Sequence, residues 1–256
     1  MPALLQDKVA IITGAGAGIG EAIARAFAAE GAHVVVSDID AERAQRVADS
    51  LPSAIAVTAD VRDEDAVRGL VDAAVKEFGG LHVVVPNAGI ATTVPLTELS
   101  FSQWRDVMSV NLDGVFLTIR HSLPALLQSG GGSIVTISSI TSTAGSALIA
   151  SYAAAKAAVR NLTETVSAEL RGHGIRANAL LPGFIDTELV TSHQADFEAA
   201  LGLEAGGFDD VIAAKQTRYG RVEEIAAAAV FFASDQSSWC NGSSLILDGG
   251  FRGSLL

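Results

Sequence analysis

Cysteine is almost missing from this chain of 256 residues, which contains only Cys240. A single cysteine cannot form an internal disulfide or a cysteine-based metal cluster. The 5 histidines are scattered and lack the spacing of metal ligands, so the sequence predicts no metal site. A chain without disulfides is typical of a reducing compartment, and we expect a cytoplasmic protein.

Positive charge is also in short supply, because 17 lysine and arginine residues face 29 acidic ones and leave a net charge of -12. A protein that binds nucleic acid needs a basic surface to contact the phosphates. Anionic lipid attracts the same kind of surface. The charge balance therefore excludes nucleic acid and a membrane surface as expected partners.

Long hydrophobic runs are absent as well, although 49% of the residues are hydrophobic. A helix that spans a membrane needs about 20 consecutive apolar residues. The apolar runs here, such as residues 225–233, are much shorter, and residues 1–8 lack the pattern of a signal peptide. We expect no membrane span, and an apolar fraction of this size suits one packed core.

Short apolar runs alternate with longer helical patterns along the chain. The predicted strands are residues 9–13, 32–37, 54–58, 81–85, 133–138, 175–181 and 244–247. The predicted helices are residues 20–30, 41–50, 63–78, 100–127, 151–171 and 222–234. The strands are continuous apolar runs, which is typical of strands buried on both faces of a parallel sheet.

This alternation predicts an α/β fold with right-handed crossovers. We expect a single-domain, Rossmann-like, doubly wound parallel sheet of seven strands with helices on both faces, formed by residues 1–256. Residues 186–220 lack a strand pattern and are broken by Gly202, Gly206 and Gly207. So long a segment inside one domain is usually functional, and we predict a substrate-binding lid there.

A glycine-rich loop joins the first predicted strand to the first predicted helix. Residues 13–20 read T-G-A-G-A-G-I-G, which fits the pattern T-G-x-x-x-G-x-G and not G-x-G-x-x-G. Glycines let a backbone turn sharply and approach a ligand closely. The helix N-terminus that follows can bind a pyrophosphate. The loop therefore predicts a dinucleotide site, with a turn that binds nothing as the alternative.

Asp38 ends the second predicted strand, 18 residues after Gly20. A carboxylate at this distance can accept hydrogen bonds from the adenosine ribose and would repel a 2′-phosphate. The glycine loop offers no arginine or lysine for such a phosphate. These features predict NAD in preference to NADP. The alternative is that Asp38 or Asp40 only caps the next helix.

Tyr152 and Lys156 lie four residues apart on a predicted helix, hence on one face of it. A lysine ammonium beside a phenol lowers the phenol pKa and makes tyrosine a usable general base. The pair alone fits an amphipathic surface equally well. However, Ser138 and Ser139 end a strand, and strand ends meet where ligands bind in such sheets. We therefore expect these residues to converge with the glycine loop.

Taken together, these motifs resemble the classical short-chain dehydrogenase/reductase family over essentially the full length of the chain. The matching motifs are Thr13-Gly14-x-x-x-Gly18-x-Gly20, Asp60-Val61, Asn87-Ala88-Gly89, Asn111, Ser139, Tyr152-x-x-x-Lys156 and Pro182-Gly183. One departure is Pro86, where members commonly carry asparagine or another small residue. Proline removes a donor and fixes φ.

The resemblance implies a catalytic set of Asn111, Ser139, Tyr152 and Lys156. Tyr152 would be the general acid/base, Lys156 would lower its pKa and hold the nicotinamide ribose, and Ser139 rather than Ser138 would bind the substrate oxygen. Asn111 would kink its helix and support a water that relays protons to Lys156. The implied cofactor-binding residues are Gly14, Gly18, Ile19, Gly20, Asp38, Ile39, Asp60, Val61, Asn87, Ala88, Gly89, Tyr152, Lys156, Pro182, Gly183, Ile185 and Thr187.

The resemblance predicts an NAD-dependent oxidoreductase that interconverts a secondary alcohol and a ketone by hydride transfer, and it implies a homotetramer. Apolar residues of segment 186–220, such as Leu189 and Phe197, favour a mainly apolar small molecule, although they could equally pack the lid onto the core. Three alternatives remain. They are a 3-oxoacyl-carrier-protein reductase, for which the segment offers few cations, a non-catalytic NAD-binding protein, and a lyase or epimerase of the extended relatives.

Overall fold

The predicted strands all form, and they lie in one parallel sheet. The structure is a computed structural model that describes residues 3–253. The strands are β1 Val9–Thr13, β2 His33–Asp38, β3 Ala54–Thr58, β4 Val83–Val85, β5 Gly132–Ile137, β6 Ile175–Pro182 and β7 Ser244–Leu247. Local apolar patterning therefore predicted the strands, with ends that differ by at most 2 residues.

The strand order is β3-β2-β1-β4-β5-β6-β7, with every neighbouring pair parallel. From β1 the chain moves outward to β3 and then returns to place β4 on the other side of β1. Ligands of open parallel sheets bind outside the strand ends at such a reversal. The expected α/β doubly wound fold is thus confirmed, and its crevice lies between the loops that follow β1 and β4.

Helices cover both faces of the sheet. They are α1 Gly18–Ala29, α2 Ala41–Asp49, α3 Glu64–Phe78, α4 Phe101–Met108, α5 Gly114–Gln128, α6 Ala150–Leu170, α7 Glu188–Thr191, α8 Gln194–Leu201, α9 Gly207–Gln216 and α10 Val222–Ala233. Alternate residues of one strand enter different cores: Ile12 packs with α1, α2 and α10, and Ile11 packs with α3, α5 and α6. Among the helices of residues 3–253, none is long and apolar enough to cross a membrane.

The helix predicted at residues 100–127 is interrupted. A π-helical turn, Ser109–Asp113, separates α4 from α5. Apolar periodicity does not reveal such a turn, because the chain stays helical on both sides. Beyond the turn, α5 starts at Gly114, where a Cβ atom would lie 2.6 Å from Val61 Cγ2. The predicted helical region is therefore present, with a π-helical turn inside it.

Residues 186–220, called the lid from here on, contain the short helices α7, α8 and α9. The lid begins and ends at neighbouring points, since Ile185 forms a parallel bridge with Gly220. Asp186 N donates to Gly220 O at 2.9 Å, and Gly220 N donates to Phe184 O at 2.9 Å. Aromatic rings hold the lid to its base: the Phe184 ring lies 5.2 Å from Phe208 and 5.3 Å from Phe251, centroid to centroid.

Candidate active site

The glycine loop between β1 and α1 adopts a backbone that glycine favours. Gly14 has φ +61° and Gly18 has φ +56°. A Cβ atom on Gly14 would lie 2.8 Å from Ala88 Cα, so the loop touches the segment after β4. Helix α1 follows Ala17, which offers no side-chain cap to its first N–H groups. Free N–H groups at a helix start can bind an anion such as a pyrophosphate.

Asn87 ties the segment after β4 to the glycine loop. Its Nδ2 donates to Thr13 O at 2.9 Å and to Gly14 O at 3.0 Å. Thr13 Oγ1 in turn accepts from Asn87 N at 3.1 Å and from Ala88 N at 3.2 Å. Pro86, the residue before Asn87 in the sequence, is buried, and the contacts of Asn87 and Ala88 form despite the proline. The departure from the family pattern therefore leaves this junction intact.

Asp38 lies against the glycine loop. One carboxylate oxygen accepts from Gly16 N at 2.9 Å, and the other accepts from Asp40 N at 3.0 Å. Asp40 is the residue that caps α2, because its carboxylate accepts from Glu42 N and Arg43 N at 3.0 Å each. The helix-cap alternative is therefore wrong for Asp38, and its carboxylate is placed beside the cleft instead.

Asp60 and Val61 follow β3 on the same edge of the sheet. Both carboxylate oxygens of Asp60 accept from Arg62, with an Nη2–Oδ2 distance of 2.6 Å. The hydrogen bond from Arg62 holds the pKa of Asp60 below its usual range. The Val61 side chain is buried against α5. These two residues thus form a rigid end of the cleft, with a charge-neutral ion pair at its rim.

Helix α6 carries Tyr152 and Lys156 in its first two turns. Lys156 is buried, donates from Nζ to Ile137 O at 2.8 Å, and has its Nζ 5.5 Å from the centroid of the Tyr152 ring. Ser139 hydrogen-bonds to Tyr152. Ser138 instead donates to Lys156 O at 2.8 Å, so it anchors α6 to the sheet. The structure brings Ser139, and not Ser138, to the tyrosine hydroxyl.

Burial sets the ionisation of this pair. It raises the pKa of Tyr152 to about 12, and the hydrogen bond to Ser139 lowers that pKa by a smaller amount. Burial lowers the pKa of Lys156 to about 8. Charged forms are disfavoured away from water, so burial is the largest cause of both changes. That Lys156 brings the Tyr152 pKa down stays a prediction.

Two of the predicted residues lie behind the cleft wall. Asn111, at the centre of the π-helical turn, is fully buried. Its Oδ1 accepts from Ile90 N and its Nδ2 donates to Ile90 O, both at 2.8 Å. Gly20 is buried in α1 against Gly14 and Asn87, where a side chain would clash. Both residues fix the backbone of neighbouring loops from behind.

The remaining predicted residues line one cleft at the carboxyl edge of the sheet. They are Gly14, Gly18, Ile19, Asp38, Ile39, Asp60, Val61, Asn87, Ala88, Gly89, Ser139, Tyr152, Lys156, Pro182, Gly183, Ile185 and Thr187. The same wall includes Leu189 and Val190 of the predicted substrate segment, and residues that were not predicted, namely Arg43, Arg62, Ile90, Val110, Ile137, Glu188 and Ser192. Arg43 lies on the first turn of α2, five residues after Asp38, which is a position that could have drawn attention to it.

The lid closes one side of this cleft. Arg43 Nη1 on α2 lies 3.0 Å from Glu188 Oε2 on α7. Thr187, just before α7, is 3.5 Å from the position that a Cβ atom on Gly18 would take. The cleft is therefore bounded by the sheet edge, the glycine loop and the lid.

Comparisons with known proteins identify the family. Residues 14–252 match a family model described as enoyl-(acyl carrier protein) reductase. The fold is similar to a short-chain type dehydrogenase/reductase from Mycobacterium marinum, with a TM-score of 0.90 and 32% identity, over 99% of this chain and 98% of that one. The chain belongs to the short-chain dehydrogenase/reductase family. It is therefore an oxidoreductase, and dehydrogenases of this family use nicotinamide cofactors.

Two relatives within the short-chain dehydrogenase/reductase family are similar over nearly their whole length. A cis-4-hydroxycyclohexanecarboxylate dehydrogenase from Sinomonas cyclohexanicum is 44% identical over 252 residues, 96% of each chain. A cyclohexanol dehydrogenase from an Acinetobacter species is 40% identical over 96% of this chain and 95% of its own. The cleft suits the family's cofactor, because it combines an uncapped helix start, left-handed glycines and a carboxylate beside them.

Proposed function

We propose that the protein is an NAD-dependent dehydrogenase that interconverts a secondary alcohol and a ketone on a mainly apolar small molecule. The observation that carries the proposal is the meeting of Ser139, Tyr152 and Lys156 in the cleft that begins at the glycine loop. A catalytic acid/base, an oxygen-binding hydroxyl and a buried cation are the groups that such a reaction requires of the protein.

In the direction of oxidation, Tyr152 removes the proton of the substrate hydroxyl while Ser139 holds the oxygen. Lys156 remains a cation at neutral pH, because its lowered pKa is still about 8. Its Nζ lies 5.5 Å from the ring centroid, where the charge stabilises the phenolate form of Tyr152 that accepts the substrate proton. A nicotinamide cofactor held in the cleft would supply the acceptor for the hydride of the carbinol carbon. In the direction of reduction, Tyr152 returns the proton to the oxygen.

The cofactor would lie along the cleft from Asp38 to Lys156. The N–H groups at the start of α1 would hold the pyrophosphate. Asp38 would accept from the adenosine ribose, and its charge supports NAD over NADP. Arg43 and Arg62 also line the cleft, but each is already paired with a carboxylate. Residues 182–187 would contact the nicotinamide end, and Asn87–Gly89 would line the middle.

For the substrate, we propose an alicyclic secondary alcohol. Two similar relatives are dehydrogenases of cyclohexanol and of a hydroxylated cyclohexanecarboxylate. In this chain, the apolar residues Ile90, Leu189 and Val190 line the same cleft as Tyr152. An acyl-carrier substrate is less favoured, because Arg218 of the lid is bound to Glu224 at 2.6 Å.

We also propose a cytoplasmic homotetramer. The free thiol of Cys240 supports a reducing compartment. Exposed apolar side chains at the β7 edge, including Trp239 and Ile246, support association with further copies of the chain.

The substitution Tyr152→Phe tests the proposal. It removes the hydroxyl that moves the proton, so turnover should fall by about 10²–10⁴-fold. NADH binding, followed by fluorescence titration, should change little. Tyr219→Phe is the matched control, because Tyr219 is the other tyrosine of the chain and its hydroxyl donates to Asp209 of the lid. Assays use cyclohexanol with NAD or NADP, read by NADH absorbance. Full activity of Tyr152→Phe would refute the assignment.

A further inference from the structure

Gln216, the last residue of α9, makes an unusual set of hydrogen bonds for a side chain of the lid. It is only 3% exposed. Its Oε1 accepts from Phe184 N at 3.0 Å, and its Nε2 donates to Phe184 O at 2.6 Å and to Arg218 O at 2.9 Å. One amide thus binds both backbone polar groups of Phe184, which is what a neighbouring strand would otherwise do.

The surroundings of Gln216 leave room for this amide and little else. A Cβ atom on Gly183 would lie 2.6 Å from Gln216 Oε1, and one on Gly249 would lie 2.7 Å from Gln216 O. The next residue, Thr217, has φ +65°, a backbone conformation that a β-branched residue rarely adopts. The turn that places Gln216 therefore has an unfavourable backbone conformation, which the surrounding contacts must offset.

We propose that Gln216 is a positioning residue that fixes residues 183–187 in place and so determines how tightly the nicotinamide half of the cofactor is held. This inference rests on the proposed function, which assigns these residues to the nicotinamide end. Gln216 acts through Phe184, whose two backbone groups it holds, and it does not line the cleft itself. Apart from this amide, Gly220 N also donates to Phe184 O, at 2.9 Å.

A comparison of two ligands separates this role from general stabilisation. ADP-ribose has the adenosine, the pyrophosphate and both riboses, but it lacks the nicotinamide base that NADH carries. Gln216→Met keeps the side-chain length and removes all three hydrogen bonds. It leaves Phe184 N–H without its acceptor and leaves Phe184 O with Gly220 N alone, so residues 183–187 loosen. The dissociation constant of NADH should rise by about tenfold, while that of ADP-ribose should stay within about twofold.

Gln194→Met is the matched control. Gln194 lies in α8 of the lid, and its Nε2 donates to Glu198 Oε1 and Asp209 Oδ1, both at 3.2 Å. It has the same chemistry as Gln216 but does not contact Phe184. Both dissociation constants should match those of the wild type. Equal weakening of NADH and ADP-ribose by Gln216→Met would overturn the positioning role. A wild type that binds neither ligand would instead contradict the proposed function.

Two further measurements keep the inference testable if Gln216→Met folds poorly. Gln216→Glu places a carboxylate against two carbonyl oxygens, so its preference for NADH over ADP-ribose should be lost at neutral pH. Protonation restores a donor, so the preference should return as the pH falls. In the wild type, hydrogen exchange at Phe184 N–H should be slow before any ligand is added. Exchange there at the rate of a free peptide would overturn the proposal.

Discussion

Lys156 is a charged residue in a place that disfavours charge. Burial lowers its pKa from 10.5 to about 8, while the ordinary pKa is retained in the unfolded chain. Below pH 8, the residue is charged in both states, so the folded protein carries the full cost of burying the ammonium. That cost falls as the pH rises from 8 to 10.5, because the folded state releases its proton first. Catalytic demand and stability therefore oppose one another at this residue.

Lys156→Met should make the protein inactive and more stable at pH 7. The buried charge disappears, which we expect to raise the free energy of unfolding by about 2 kcal/mol. The gain over the wild type should shrink between pH 8 and pH 10.5. Urea denaturation at several pH values measures both effects. Unchanged or reduced stability at pH 7 would show that the hydrogen bond to Ile137 O outweighs the burial cost.

Asp38 and its neighbour Asp40 offer a matched pair for cofactor choice. Asp38→Ala removes the carboxylate that would repel a 2′-phosphate, so the ratio of kcat/KM for NADP to that for NAD should rise by about tenfold or more. Asp40→Ala removes a helix cap and an exposed ion pair with Arg43, and it should destabilise α2 with no change in that ratio. Initial rates with both cofactors decide the matter, and an unchanged ratio in Asp38→Ala would count against the ribose contact.

Some residues in and around the cleft could be predicted from the sequence, and others could not. Asp38, Ser139 and Tyr152 follow strand ends or lie in short local patterns, so motif spacing found them. Arg43 and Gln216 were missed because their partners are distant in sequence: Glu188 lies 145 residues beyond Arg43, and Phe184 lies 32 residues before Gln216. Pairings of that kind depend on how the lid folds back, which no local pattern encodes.

At the scale of elements, apolar patterning predicts the seven strands and the long helices. Each long helix buries one apolar stripe, and the strands of a parallel sheet are buried on both faces. The interruption of the helix predicted at 100–127 did not follow from it. That interruption places Asn111 where its amide can bind the backbone of Ile90, a contact between separate elements. The three lid helices were also not predicted, because they are short and their packing depends on partners outside the lid.

The contact between α2 and the lid should govern release of the cofactor. Arg43 and Glu188 are both exposed, so their ion pair is weak and sensitive to salt. Glu188→Gln should speed NADH release up to about fivefold at low salt, with little effect at high salt because salt screens exposed charges. Stopped-flow fluorescence measures the rate. Glu164→Gln, which breaks the partly buried pair with Arg160 within α6, is the control. Identical release rates at low salt would refute a gating role.

At the scale of the whole molecule, the β7 edge carries the most exposed aromatic residue of the described chain. Trp239 is 98% exposed, and Leu245 and Ile246 on β7 are 37% and 40% exposed. A monomer rarely presents so much apolar surface in one place. The net charge of -12 keeps such a surface from associating indiscriminately, so a defined assembly is the expected use of it.

Light scattering should therefore give four times the chain mass of 26.3 kDa. Trp239→Ser should lower the average mass at micromolar concentration, since buried aromatic residues dominate the energy of interfaces. Leu201→Ser, at an exposed apolar position in the lid, should leave the mass unchanged. Two results would contradict this expectation. One is a wild type that is monomeric at all concentrations, and the other is a Trp239→Ser variant that assembles as tightly as the wild type.

The narrow base of the lid has a consequence for how such proteins can diversify. Because Ile185 and Gly220 are paired, the chain leaves the sheet and returns to it at nearly the same point. The cost of closing a loop depends on its ends and only weakly on its length. We therefore expect that residues 187–219 can be exchanged as a unit between relatives, provided that the contacts of Gln216 with Phe184 are kept. Transplanting the corresponding segment from a relative should transfer substrate preference, while proton transfer at Tyr152 remains the property of the recipient.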